Sequence, residues 1–203
     1  MKSNFKITKL VALLLAMIFA MSAMTGCSSS SNTTETKAED TNDDSTASET
    51  QVVIDSIGRE VEIPDPVTKA VVANAYNTEI INAIDALDCV IGVDYNIYQD
   101  KESWKNKFTE DMVIGQSQKE LNYEKIIELA PEVLILTGNG TYEEAEQQLE
   151  PFGIKVVVCD AYYTDQFEKS CDLLGQVFGK EENADELKHY FMDKLDVIKL
   201  VHV

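Results

Sequence analysis

The rhythm of apolar and polar positions changes sharply along the chain. An uncharged apolar run from Leu10 to Ala23 follows Lys2, Lys6 and Lys9. It falls short of the ~20 apolar residues a membrane-spanning helix wants. With small residues behind it (Ser22, Ala23, Thr25, Gly26), it reads as a signal peptide over residues 1–26. Residues 28–51 carry no aromatic or large aliphatic side chain. Such a stretch buries too little surface to offset chain entropy, so 27–51 is expected to be a disordered tether.

Alternation begins at Val52. "VVIDSIGREVEIP" holds two β-rich runs around Ser56-Ile57-Gly58, a hairpin pattern in which Gly58 can take a positive φ, and Pro64 and Pro66 end it. Apolar runs at 70–73, 89–93, 112–114, 133–136 and 154–158 then predict strands. Helical spacing predicts helices over 78–87, over Tyr123–Leu129 before Pro131, from Thr141 onward, and over 164–178 before Gly179. Thr141-Tyr142-Glu143-Glu144 has the form of a capping box. A last helical pattern runs from Glu181 to about Leu200, and no closing element follows it. The βαβα order predicts an α/β fold: a mostly parallel sheet with helices on both faces over 52–180, followed by a long helix over 181–203. Ligands of such sheets bind beyond the carboxyl ends of the strands.

Composition narrows the function. The formal net charge is −19, and removal of residues 1–26 takes away three lysines and no acid, leaving −22. A surface so acidic repels nucleic acid. Arg59 is the only arginine, so bidentate anion recognition has little to draw on. Cys89, Cys159 and Cys171 are an odd set and read as buried small hydrophobes, with a Cys159–Cys171 or Cys89–Cys159 bridge left open. Neither a CxxC pair nor a His-rich metal spacing occurs, and the histidines, His189 and His202, fall near the C-terminus. No resident metal or cofactor is expected. A nucleotide loop at Gly138-Asn139-Gly140 fails at its third glycine, where Glu143 stands.

Met24-Thr25-Gly26-Cys27 resembles the bacterial lipobox. That resemblance implies cleavage before Cys27 and a diacylglycerol on its sulfur. The protein would then sit on the extracytoplasmic face of the cell membrane, held by lipid chains worth ~0.8 kcal/mol per buried CH₂.

A wider resemblance rests on D-x-x-G-R-x-V-x-I-P at 55–64 and N-x-E-x-I-x-x-L-x-P-E-V-L-I at 122–135, with "KAVVANAYNTEIINAI", "LEPFGIKVVVCD" and "LLGQVFGKEENADEL" in the same order. Together these segments resemble the iron-siderophore, haem and cobalamin class of ABC-transporter substrate-binding proteins. That class has two α/β lobes joined by a long helix, with ligand held between them. The resemblance covers 52 to about 200 and implies an N-terminal lobe plus a truncated linker helix.

By the same resemblance the ligand contacts come from loops after the strands: Asn74, Tyr76 and Asn77, then Tyr95, Gln116, Gly138 and Asn139, and Tyr162. Aromatic and amide side chains suit a bulky, partly apolar ligand. An iron chelate, haem or a corrinoid is implied, handed to the transmembrane subunits of an ABC permease. Glu124 matches the position of a lobe-surface glutamate that pairs with arginine on the permease. Two other classes stand beside this reading. A non-transporting remnant or decoy would keep the docking surface without a second lobe, and a surface-anchored α/β enzyme would need a nucleophile and base that no motif supplies.

Overall fold

The structure, a computed structural model, describes residues 49–139 and 141–201. The expected signal peptide, Cys27, the tether up to residue 48, and Gly140 lie outside the described residues.

The first described element is a hairpin of β1 (Thr50–Ile54) and β2 (Glu60–Pro64), with Val53 opposite Val61. Gly58 sits in its turn at φ 82°, as the pattern requires. β1 begins two residues ahead of Val52, because polar bonds hold its start. Thr50 Oγ1 donates to Glu62 Oε1 at 3.0 Å, and Gln51 Nε2 donates to Gln176 O at 2.9 Å.

The core elements follow: β3 (Ala70–Val72), α1 (Ala75–Ala83), β4 (Val90–Val93), α2 (Tyr95–Gln99), β5 (Gly115–Ser117), β6 (Glu120–Leu121), α3 (Tyr123–Leu129), β7 (Val133–Leu136), α4 (Tyr142–Leu149), β8 (Lys155–Val158), α5 (Phe167–Phe178) and α6 (Glu181–Val201). Four strands form one parallel sheet in the order β4-β3-β7-β8. β5 and β6 make a separate antiparallel pair.

Strand side chains alternate between two cores. Val72, Val133, Ile135 and Val157 pack with Ile81 of α1, with Ile84 at its C-cap and with Leu174 of α5. Val71, Leu134, Leu136 and Val156 pack with Ile126 of α3 and with Ala145 and Leu149 of α4. Both sheet faces are therefore covered, which is why the strands are continuous apolar runs. The expected α/β fold is the observed one.

Three expectations change in detail. The 112–114 run is no strand: Glu110–Met112 forms a 3₁₀ turn, and the following Val113 makes an isolated parallel bridge to Val93. The helix expected over 78–87 starts earlier, because Asn74 Oδ1 accepts from the backbone N–H groups of Tyr76 and Asn77. It ends earlier too, since Asp85 turns left-handed at φ 61°. The capping box at Thr141 is not made. The Thr141 hydroxyl instead donates to Gln118 O, tying α4 to the β5–β6 turn.

α6 docks its first half on α5. A Cβ on Gly175 would lie 2.8 Å from Ala184 Cβ, so the two helices approach closely there. Further along, the rings of Phe167 and Phe191 stand 4.1 Å apart, and Lys188 pairs with Asp172 and Asp185.

Candidate functional site

Because the four sheet strands run parallel, their carboxyl ends share one edge. From β3 the chain steps outward to β4, then crosses back to β7 on the other side of β3. The switch point thus falls between β3 and β7, where such sheets open a crevice. Ala73-Asn74 follows β3, Thr137-Gly138-Asn139 follows β7, Asp94-Tyr95 follows β4, and Asp160 to Tyr163 follows β8.

A hydrogen-bonded frame fixes these ends. Asn74 caps α1, and Asp94 caps α2 by accepting from Ile97 N–H at 3.1 Å. Asn96 Nδ2 donates to Gln116 O at 3.1 Å. Gln118 Oε1 accepts from both Thr137 N–H (3.1 Å) and the Thr137 hydroxyl (2.8 Å). Gly138 N–H donates to Asp160 Oδ1 at 2.8 Å, and Asp160 N–H donates to Ser56 Oγ at 3.0 Å. Loops from the hairpin turn, β4, β5–β6, β7 and β8 are therefore locked to one another.

The amide side chains belong mostly to this frame. Asn77 is fully buried, and its Nδ2 donates to Cys159 O at 3.0 Å. The expected ligand contact at Asn77 is corrected: the side chain joins α1 to the end of β8 and does not reach the surface. Asn74 is half-buried and occupied as a cap. Gly138 admits a close approach, but of Asp160 and Ile57: a Cβ there would lie 3.3 Å from each.

What faces outward is aromatic. Tyr76 is 54% exposed, Tyr95 39%, Tyr162 38% and Tyr163 48%. The ring centroids of Tyr76 and Tyr162 are 6.3 Å apart, and those of Tyr162 and Tyr163 are 3.9 Å apart. The Tyr162 phenol is pushed up to about 12, chiefly by its hydrogen bond with Tyr163, so it is neutral at ordinary pH. Tyr95 leans on Tyr98 at 5.9 Å, on the β4 side, next to the exposed Gln116. Asn139 is exposed at the tip of the β7 loop. Glu124 is exposed in the first turn of α3.

Tyr163 is a rim residue that the sequence marked only as part of a loop. Below the rim, Phe167 of α5 and Leu187 and Phe191 of α6 join Tyr76 and Tyr162 around a cavity of about 340 Å³. Helical periodicity marks these three positions as packing residues, and only the tertiary fold brings them to the cavity.

Arg59 takes no place on the rim. Its guanidinium bonds Asp55, Glu146 and Val156 O, and lies 5.0 Å from the Tyr142 ring centroid. Cys89, Cys159 and Cys171 are free thiols; burial pushes Cys159 and Cys171 up to about 12. Among the described residues no group of three or more His, Cys, Asp or Glu side chains gathers as a metal cage, and no helix is long and apolar enough to cross a membrane.

Residues 71–201 match the family described as periplasmic binding protein. The chain belongs to that family. It is 28% identical over 179 residues to the uncharacterized ABC transporter substrate-binding lipoprotein YvrC of Bacillus subtilis, covering 85% of this chain and 52% of the relative. It is 26% identical over 162 residues to the molybdate-binding protein MolA of Haemophilus influenzae, covering 68% of this chain and 45% of that one. The chain thus spans about half the length of these relatives. A periplasmic solute binding protein from Veillonella parvula shares the fold with a TM-score of 0.65 at 20% identity, over 75% of this chain and 48% of that structure. Family and fold are those of substrate-binding proteins, with the tyrosine rim on the sheet edge where such folds bind.

Proposed function

We propose that this chain supplies one ligand-binding lobe of an extracytoplasmic ABC-importer receptor, that it takes up an iron chelate, haem or a corrinoid, and that it delivers this cargo to the permease. The observation that carries the reading is the row of exposed tyrosines (Tyr76, Tyr95, Tyr162, Tyr163) on the carboxyl edge of a parallel sheet. Tyrosine offers a large, stiff contact area with a polar tip, which suits a bulky chelate or macrocycle better than a bare oxyanion. The sole arginine is held in the frame, so the charge that would favour a small anion is not on this rim. MolA, a relative of similar identity, is named for molybdate; the tyrosine rim favours a different cargo here.

Domain roles follow. Residues 1–26 act as a lipoprotein signal peptide, Cys27 carries the lipid, 27–51 tether the lobe, and α6 is the inter-lobe linker helix. A lipobox-like Met24-Thr25-Gly26-Cys27 and a relative named as a lipoprotein support the anchor. Glu124 is the docking residue for the permease, acting through orientation and partner choice more than affinity. The chain is a carrier with no chemical step of its own.

Calorimetric titration of the full chain with a ferric trihydroxamate, haem, a corrinoid and molybdate tests the reading. Saturable binding of one of the first three, weakened roughly tenfold or more in a Tyr76→Ala/Tyr162→Ala double variant, is the expected result. Binding of molybdate alone would overturn it.

A further inference from the structure

The cavity beneath the rim is a groove between α1 and α6. Ile80 and Ala83 of α1, Phe167 of α5, and Leu187 and Phe191 of α6 give it apolar walls, and Tyr76 and Tyr162 form one end. At about 340 Å³ it stands at the small end of the ~300–1,000 Å³ range of ligand pockets, so it holds a fragment or one arm of a larger ligand. A single charged side chain lines it, Glu79 of α1; among the described residues no lysine, arginine or histidine does. The chain around it carries −19, which raises the local concentration of cations.

We propose that this groove binds an organic ammonium ion: an aryl- or alkylamine whose apolar body lies between α1 and α6 and whose charged end faces Glu79. The two rim tyrosines strengthen that choice. Neutral phenol rings attract a cation to their faces, and the Tyr162 phenol, pushed up to about 12, stays neutral throughout the physiological range. A carboxylate or oxyanion entering the same groove would meet Glu79 and no basic side chain in the lining; Lys194 does not line the groove, although its Nζ lies 5.2 Å from the ring centroid of Tyr190, which does. A second copy of the chain seated there in a two-fold contact would bring both Glu79 side chains to one acidic interface. That the ammonium group is an arm of the receptor's cargo rests on the function proposed above; the groove's preference for a cation rests on its own lining.

The probes are 2-phenylethylamine, its neutral isostere 2-phenylethanol, and 3-phenylpropionate, added to the isotopically labelled full chain. Amide shifts at Ala83 and Phe191 are the readout. The amine is expected to bind more tightly than the alcohol, and the acid to give no shifts. In Glu79→Gln, an exposed change that leaves the fold intact, amine affinity falls roughly threefold to fivefold, to the level of the alcohol, whose own affinity is unchanged. In Ala83→Trp, which fills the groove from an exposed position, the shifts from both probes vanish. Equal binding of acid and amine, shifts centred away from the groove, or an amine affinity that survives Glu79→Gln would overturn the inference. So would a concentration-dependent dimer abolished by Ala83→Trp, which would make a second copy the occupant. A ferric trihydroxamate, haem and a corrinoid titrated in parallel separate the two claims. Binding of one of these three without amine binding removes the ammonium site and leaves the receptor reading; amine binding in the groove with none of the three bound does the reverse.

Discussion

Arg59 and Asp55 close the β1–β2 turn as an ion pair, Nη2 to Oδ2 at 2.8 Å, with the carboxylate fully buried. The carboxylate also accepts from the backbone N–H groups of Ile57 (3.2 Å) and Arg59 (2.9 Å). Through the turn the pair seals the open edge of β8: Arg59 Nη2 donates to Val156 O, and Ser56 N–H donates to Val158 O. An edge strand left unpaired is an aggregation hazard. Here the D-x-x-G-R segment covers it, which gives that motif a structural purpose.

Arg59→Ala is therefore expected to cost about 2–3 kcal/mol, because it leaves a buried carboxylate with backbone partners only and uncovers a strand carbonyl. Denaturant unfolding reads the loss, and light scattering reads the exposed edge. Unaltered stability would show that the turn alone holds the sheet edge.

Asn77 separates the frame from the rim. With its amide buried and bonded to Cys159 O, Asn77→Ala should lower stability by about 1–3 kcal/mol. At temperatures where the variant stays folded, its chelate affinity should match the parent. A specific loss of affinity at full stability would return Asn77 to the ligand site.

The contrast between these residues and the tyrosines shows what the sequence made legible. The strand runs at 133–136 and 154–158, the Tyr123–Leu129 helix and the Gly58 turn could be read because local period and turn chemistry agree with the fold there. The strand ends were legible as loops because apolar runs stop at them. Side-chain roles within those loops were not. Asn74 and Asn77 look alike in sequence, yet one caps a helix and the other bonds a strand 82 positions away. Thr141 has the spacing of a capping box and is diverted by Gln118, a partner 23 positions distant. Long-range polar bonds of this kind leave no periodic trace.

Asp94 supplies a test through pH. Burial raises its carboxyl above the usual aspartate range, against hydrogen bonds from the Ile97 and Asn96 backbone that lower it. A folded-state value above the unfolded one favours the protonated form in the fold. Its stabilising contribution is present below the unfolded value of ~3.9 and is lost as pH rises through the raised folded value. Asp94→Asn keeps the acceptor that caps α2 and removes the charge. The variant should unfold at a higher temperature than the parent at pH 7, and the gap should narrow near pH 4. A lower melting temperature at pH 7 would mean that the charged carboxylate itself is needed.

The central claim is that the carboxyl edge of the parallel sheet is the ligand face. Paramagnetic broadening by a ferric trihydroxamate, recorded on the amide resonances of the labelled full chain, tests it most directly, because iron bleaches only nearby signals. The account predicts selective loss at Tyr76, Tyr95, Asn139 and Tyr162, with the amides of Lys69, Val133 and Phe152, beyond the opposite ends of the strands or at them, left sharp. Broadening centred on Lys69 and Phe152, or spread evenly over the chain, would contradict it.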